Sequence, residues 1–538
     1  PAPPPPPPPG PVAPPPPAVP EVPSPPAPPV PPAPPANALD QLAAAIPGIV
    51  VRYDSLTQEN DHLVAEGVSF VRRLPGGGTD ESHKLYVKRI EAIGLNEAAF
   101  ATVFDPNAYA GATDETFRTL ISSLTLTELS FLVDDKQVFG VASWTVTGLE
   151  MKQFPFIPGG PEFPQQFVSR DFMGIQMAGG FIDSIKIAAI QANGIHAEVD
   201  PAAFAMMMPG GAAAARAGTM GLTIYDYQEL RQENIDRGRV GRVTFRGVSS
   251  VSQVPELGEM RLSVAEGYWD GGDLSRLVPY LVKAEWPPVT REPLIAVGAN
   301  CVKQYDLSIT GIGAFNFPEL CMQAIPFVWL LPRDFDVSMA GTFTPAPAGE
   351  FIAPPYVARH FTGPMPVEFQ MSGAYDPDLG TAAVTHYRFW LGGFGEIDFA
   401  GMAGGLQLAE LALLPQTFAS KVSFVGSSVK LIDEGGMQKI LEMVSDASNP
   451  PGQTQVTPDA LKAQGKAGLD MMSGMLGATP EARGLADAIK GFIDQGGTLE
   501  IVSKPPVPLT SMDFQALSAK QPAEILSTLG LSASHTSP

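Results

Sequence analysis

Cysteine is nearly missing from this chain: two in 538 residues, Cys301 and Cys321. They form no C-x-x-C pair, and no histidine and cysteine spacing fits a zinc site, so a dithiol redox motif and structural zinc are excluded. Charge is scarce as well, at 17% of residues, and it leans acidic, with a formal net charge of −22. A surface this negative repels polyanions, which argues against nucleic acid and against anionic membrane surfaces. No run of 18 uninterrupted apolar residues occurs, so no segment reads as a membrane-spanning helix. Catalytic signatures are lacking too. Gly392–Gly393–Phe394–Gly395 has no phosphate-loop lysine, Gly426–Ser427–Ser428 lacks the second glycine of a nucleophile elbow, and no H-E-x-x-H occurs. The histidines are scattered; His196 shares a strand face only with Glu198. The acidic turns Asp376–Gly380 and Asp270–Asp273 lack the spaced ligands of a calcium loop. The residues therefore predict no enzyme, no catalytic residue, no cofactor and no metal.

Proline and glycine are plentiful, 57 and 54 residues. Residues 1–36 hold 23 of those prolines, one charge (Glu21) and no aromatic. Proline fixes φ and removes a backbone donor, so this segment predicts a polyproline II stalk with a reach of roughly 110 Å at about 3.1 Å per residue. The first residue is proline, which points to a removed leader, either a signal peptide or an N-terminal membrane anchor. In an oxidising compartment Cys301 and Cys321 would join and close a loop; two buried free thiols are the other reading.

From residue 50 to 430 the texture alternates with period two, as in Leu124–Phe131, Gln137–Leu149, Lys186–Ile195 and Val367–Met371, with glycine and proline turns between. The expected fold is mainly β: an extended or curved antiparallel sheet with weak internal repeats. The repeats pair Lys88–Ile93 and Asp105–Pro106 with Ile185–Ile190 and Asp200–Pro201. Past 430 the period becomes helical, with Met437, Ile440, Leu441 and Val444 on one face. Thr457–Pro458–Asp459 and Thr479–Pro480–Glu481 are helix starts, and Thr498–Val502 reads as a strand. The division is a stalk (1–36), two β-rich units (37–215 and 216–430) and a small α/β region (431–538).

Two kinds of contact surface stand out. Arg237, Arg239, Arg242 and Arg246 form a basic cluster, and alternation in Arg242–Arg246 puts those two arginines on the face opposite Val243 and Phe245. This is a solvated sheet face or a phosphate site. The loops carrying Phe154, Phe156 and Phe163, and Met206, Met207 and Met208, offer flexible apolar contacts to a ligand or partner.

The run Ser428–Gly436, the helices after it, and Gly497–Ile501 with Pro505–Leu509 resemble uncharacterised, signal-peptide-bearing envelope proteins of alphaproteobacteria. The strand-after-strand body is similar in texture to AsmA-like envelope proteins. That resemblance implies a periplasmic or otherwise extracytoplasmic location and a long curved sheet with an apolar groove for lipid. It carries over no catalytic residue. The expected function is a non-catalytic envelope scaffold or lipid-binding protein. An assembly subunit meeting another envelope protein is the alternative, and a secreted hydrolase the second. No nucleic-acid partner is expected; membrane proximity would come through the removed anchor.

Overall fold

The computed structural model describes residues 37–45, 48–74, 77–103, 114–153, 172–199, 222–254, 258–283, 285–347, 349–413, 420–448, 456–477 and 479–538. The proline-rich segment 1–36 lies outside them, as do the two Asp-Pro segments.

The alternating stretches are strands of one sheet. β1 (Ile49–Arg52) and β2 (Ser55–Glu59) lie along one edge of β3 (His62–Arg73). The chain then doubles back through β4 (Thr79–Ile93), β5 (Arg118–Val133), β6 (Lys136–Met151), β7 (Ile185–Val199) and β8 (Thr223–Asp236). After the two-residue β9 (Arg239–Val240) come β10 (Val243–Val254) and β11 (Gly258–Trp269), the short β12 (Gly272–Asp273) and β13 (Ala296–Val297), then β14 (Asn300–Ile309) and β15 (Gly313–Met322). A separate hairpin, β16 (Phe327–Val328) with β17 (Leu331–Pro332), precedes β18 (Asp334–Pro345), β19 (Met365–Asp376), β20 (Thr381–Leu391), β21 (Gly395–Gly404) and β22 (Ser423–Asp433). β23 (Gly497–Ser503), the short β24 (Leu509–Thr510) and β25 (Leu531–Thr536) finish it. Every pairing is antiparallel, and each long strand pairs with the long strand before it. The ladder continues past residue 215, where β7 meets β8, and past 430, within β22. The fold is mainly β and open.

Register turns local alternation into two faces. On one, Ala65, Ile90, Leu126, Trp144, Ala192, Leu230 and Phe245 oppose one another strand by strand. Past Gly267 the row continues through Val302, Leu320, Met339, Phe369, Phe389, Ile397, Leu431 and Leu499. One residue along each strand, the opposite face reads Glu91, Thr125, Thr145, Gln191, Arg231, Thr244, Tyr268, Cys301, Cys321, Ser338, Gln370, Arg388, Asp398, Lys430 and Glu500. Ion pairs lace it across strands, including Arg89 to Glu66 at 2.6 Å and Arg388 to Glu368 and Glu396 at 2.9 and 2.8 Å. A sheet with one apolar and one polar face is what period-two sequence specifies.

Along one line the alternation slips in step across many strands. Gly67, Glu128, Gly194, Gly247 and Gln304 have φ between 49° and 62° and occupy β3, β5, β7, β10 and β14, every second strand of the ladder. A left-handed residue within a strand re-aims the side chains beyond it. Hence Ala65 and Val68, Leu126 and Leu129, and Ala192 and Ile195 all join one core despite odd spacing. The sheet is creased along this line, with apolar side chains inside the crease.

At Gly194 the conformation and the space both require glycine: an added Cβ would stand 2.9 Å from Ala142 Cβ. Gly194→Ala is expected to cost about 2 kcal/mol, chiefly the left-handed penalty. Gly484, inside helix Pro480–Gln495 with nothing within 4 Å, sets the contrast. There the same substitution is expected to stabilise by about 0.5–1 kcal/mol. Urea midpoints of the two variants should move in opposite directions.

The helices start where the sequence places caps. Thr457 accepts from the Ala460 amide and Thr479 from the Ala482 amide, each at 3.2 Å. Their role is to cover the sheet. Ala38–Ala45 and Glu97–Val103 pack on the apolar face at β3–β6, burying Leu39, Phe100 and Val103. At the far end Ala488 and Phe492 of Pro480–Gln495 cover Leu431, Leu499 and Ile501.

Candidate functional site

The basic cluster resolves into compensated pairs. Arg237 meets Asp183 at 2.8 Å, Arg239 meets Asp273 at 3.1 Å, Arg242 lies 3.8 Å from Asp270, and Arg246 lies 3.9 Å from Glu229. Arg242 also stacks over the Tyr268 ring, 4.4 Å from its centroid. Arg242 and Arg246 do point from the polar face, as alternation requires, into a groove of about 500 Å³ with Glu229, Arg231, Glu266 and Lys303. Lys303 donates to Glu266 at 3.0 Å and holds that carboxyl below its ordinary pKa. A phosphate entering here would displace carboxylates already in place, so the solvated-face reading fits this geometry better.

Cys301 and Cys321 are directly opposite on β14 and β15, and the structure joins them in a disulfide. Among the described residues they also make up, with Glu319, the one group of donors close enough for a metal, and the disulfide uses both sulfurs. His196 Nδ1 donates to Asp226 Oδ1 at 2.8 Å, and Glu198 lies 3.9 Å from its other ring nitrogen. Reducing the disulfide with dithiothreitol is expected to lower stability by about 3 kcal/mol, the chain-entropy value for a loop of this length. The check is urea unfolding with and without reductant; a Cys301→Ser/Cys321→Ser variant should match the reduced protein.

Phe154, Phe156 and Phe163, and Met206 to Met208, lie outside the described residues. The strand ends that lead to them can be placed. Met151 and Ile185 end the β6–β7 pair, and Val199 and Thr223 end the β7–β8 pair, at opposite ends of β7.

The apolar face is the larger feature, and single-strand reading could not assemble it. Its row crosses sixteen strands, roughly 70 Å at the usual strand spacing. Its two ends are covered by helices, as described above. Between them, among the described residues, Phe361 packs beside Phe343, Val367 and Leu391, while at β20 and β21 Tyr387 is 43% exposed, Phe389 39% and Ile397 48%. Four large apolar side chains at neighbouring register positions, Phe399 included, make a patch of the kind that marks a binding surface. The middle strands carry half-buried Val302, Leu320, Met339 and Phe369. Under the helices at the first end lies a cavity of about 290 Å³, lined by seventeen residues that are all apolar, among them Leu63, Ile90, Leu126 and Phe100. Apart from the Tyr387 hydroxyl, the chemistry available at this patch is desolvation of hydrocarbon.

Comparison with known proteins adds one finding. Residues 379–536 match the model of a family described only as an uncharacterized protein. No curated protein and no solved structure matches the chain significantly.

Proposed function

We propose that this is a non-catalytic lipid-binding or apolar-ligand-binding protein of an extracytoplasmic compartment. The single observation that carries the reading is the apolar row that stays in register across the sheet and is uncovered at β20 and β21. Apolar side chains held in water are costly by roughly 25 cal/mol per Å², so a surface of this kind is stabilised by an apolar occupant. The Cys301–Cys321 disulfide supports the compartment, because such bonds persist in oxidising environments. Lipid extraction of natively purified protein, followed by mass spectrometry, is the test. The expected result is lipid in stoichiometric amount; lipid at the level of a control protein overturns the proposal.

A second reading, an assembly subunit, has its own support. Met471 and Met475 are exposed one turn apart on helix Pro458–Met475, with Ile440 and Val444 exposed on helix Gly436–Ala447. Methionine-rich surfaces adapt to protein partners. Cross-linking in intact cells through these positions would yield one stoichiometric neighbour on this reading and none on the first.

A further inference from the structure

We propose that the apolar cavity at the first end of the sheet is a site for the methyl end of one unbranched hydrocarbon chain. The inference deepens the reading of the apolar face as a ligand surface and rests on it.

Three observations carry it. The first is size. Protein interiors leave few voids larger than a water molecule, and an apolar cavity of about 150 Å³ already accepts small hydrocarbons. This one, at about 290 Å³, is larger. The second is shape. Its walls run from Leu63 on β3 through Ile90 and Leu126 to Leu149 on β6, three strand spacings. The lining also spans Leu85 to Ala92 along β4 and Leu120 to Leu129 along β5, which gives a flexible polymethylene chain room in both directions.

The third observation is chemistry. No lining residue carries a polar side chain, so a carboxylate, hydroxyl or headgroup inside would lose its hydrogen bonds. Only a chain's apolar terminus belongs there, with its polar end held outside the lining. The crease makes the room: Leu126 and Leu129, on either side of Glu128, both face in. The helices Ala38–Ala45 and Glu97–Val103 close the top through Leu39 and Phe100.

The experiment is binding of dodecanoic acid to the full chain by equilibrium dialysis, with three variants. Ala92→Phe fills the cavity and should weaken one dodecanoate site at least ten-fold, with folding checked by thermal melt. Leu124→Ala lengthens the cavity and should shift preference toward tetradecanoic acid. Lys430→Gln, on the polar face, should leave this site unchanged. If Ala92→Phe and Leu124→Ala both bind as the parent does, the cavity proposal falls while the open-face reading stands. If the parent binds no dodecanoate at all, the cavity proposal falls as well. If native lipid is absent yet dodecanoate binds in the predicted variant order, the cavity site holds and the wider proposal fails.

Discussion

Lipid recovered with the protein should fall about ten-fold when Phe389 and Ile397 are both replaced by aspartate, since a charge set against a hydrocarbon chain costs well over the 1.4 kcal/mol that a factor of ten requires. The two residues oppose each other on β20 and β21 in the centre of the uncovered patch. Both are more than a third exposed, so the folded state gives up little: the melting profile should be nearly unchanged, as for most surface substitutions. Loss of lipid with retained stability is the signature of a ligand surface. Equal lipid content in the variant and the parent would count against the proposed function directly.

The largest stability effect is expected at Lys152. Its side chain is 7% exposed and its ammonium reaches Glu115 at 2.5 Å and the Asp183 carboxylate. Asp183 in turn accepts from Arg237 at 2.8 and 3.0 Å. This network ties the end of β6 to helix Phe172–Ser184 and to the turn after β8. Lys152→Ala leaves Asp183 partly buried with one cation fewer, and should cost about 3 kcal/mol by urea unfolding, the lower end for breaking a buried pair. Lys152→Met with Asp183→Leu should recover part of that loss, because no buried charge is then left behind. A Lys152→Ala cost under about 1 kcal/mol, the worth of a surface pair, would refute a buried role.

Acid should show the same network. Burial opposes the charged form of Asp183, yet the hydrogen bonds from Lys152 and Arg237 prevail and hold its carboxyl below the ordinary value. A depressed carboxyl contributes stability that is fully present above its unfolded pKa, about 3.9, and is lost as pH falls through the folded one. Unfolding free energy measured below about pH 4 should therefore drop less steeply in Asp183→Asn than in the parent.

Much of the fold was legible from short-range pattern. Alternation marked β5, β6, β7 and β19, and threonine caps marked the two helices after residue 456. The slip in alternation was not legible, for a physical reason. Two of its five left-handed positions are Glu128 and Gln304, residues with no propensity for that conformation, and Lys88 secures Glu128 from the next strand at 2.5 Å. The arginine cluster was visible, but its partners Asp183, Asp270 and Glu229 are distant in sequence or on neighbouring strands. The apolar face itself depends on register between strands, which no single strand encodes.

The order in which the strands follow one another has a consequence for how the molecule is made. Each long strand pairs with its predecessor, so every new pairing needs only chain that has already been made. A nascent chain can add one hairpin at a time to what has already formed, without waiting for its C-terminus. The disulfide joins two adjacent strands and has no rival cysteine, so oxidation cannot trap a wrong pairing. Assembly should advance like a zip from the N-terminal strands.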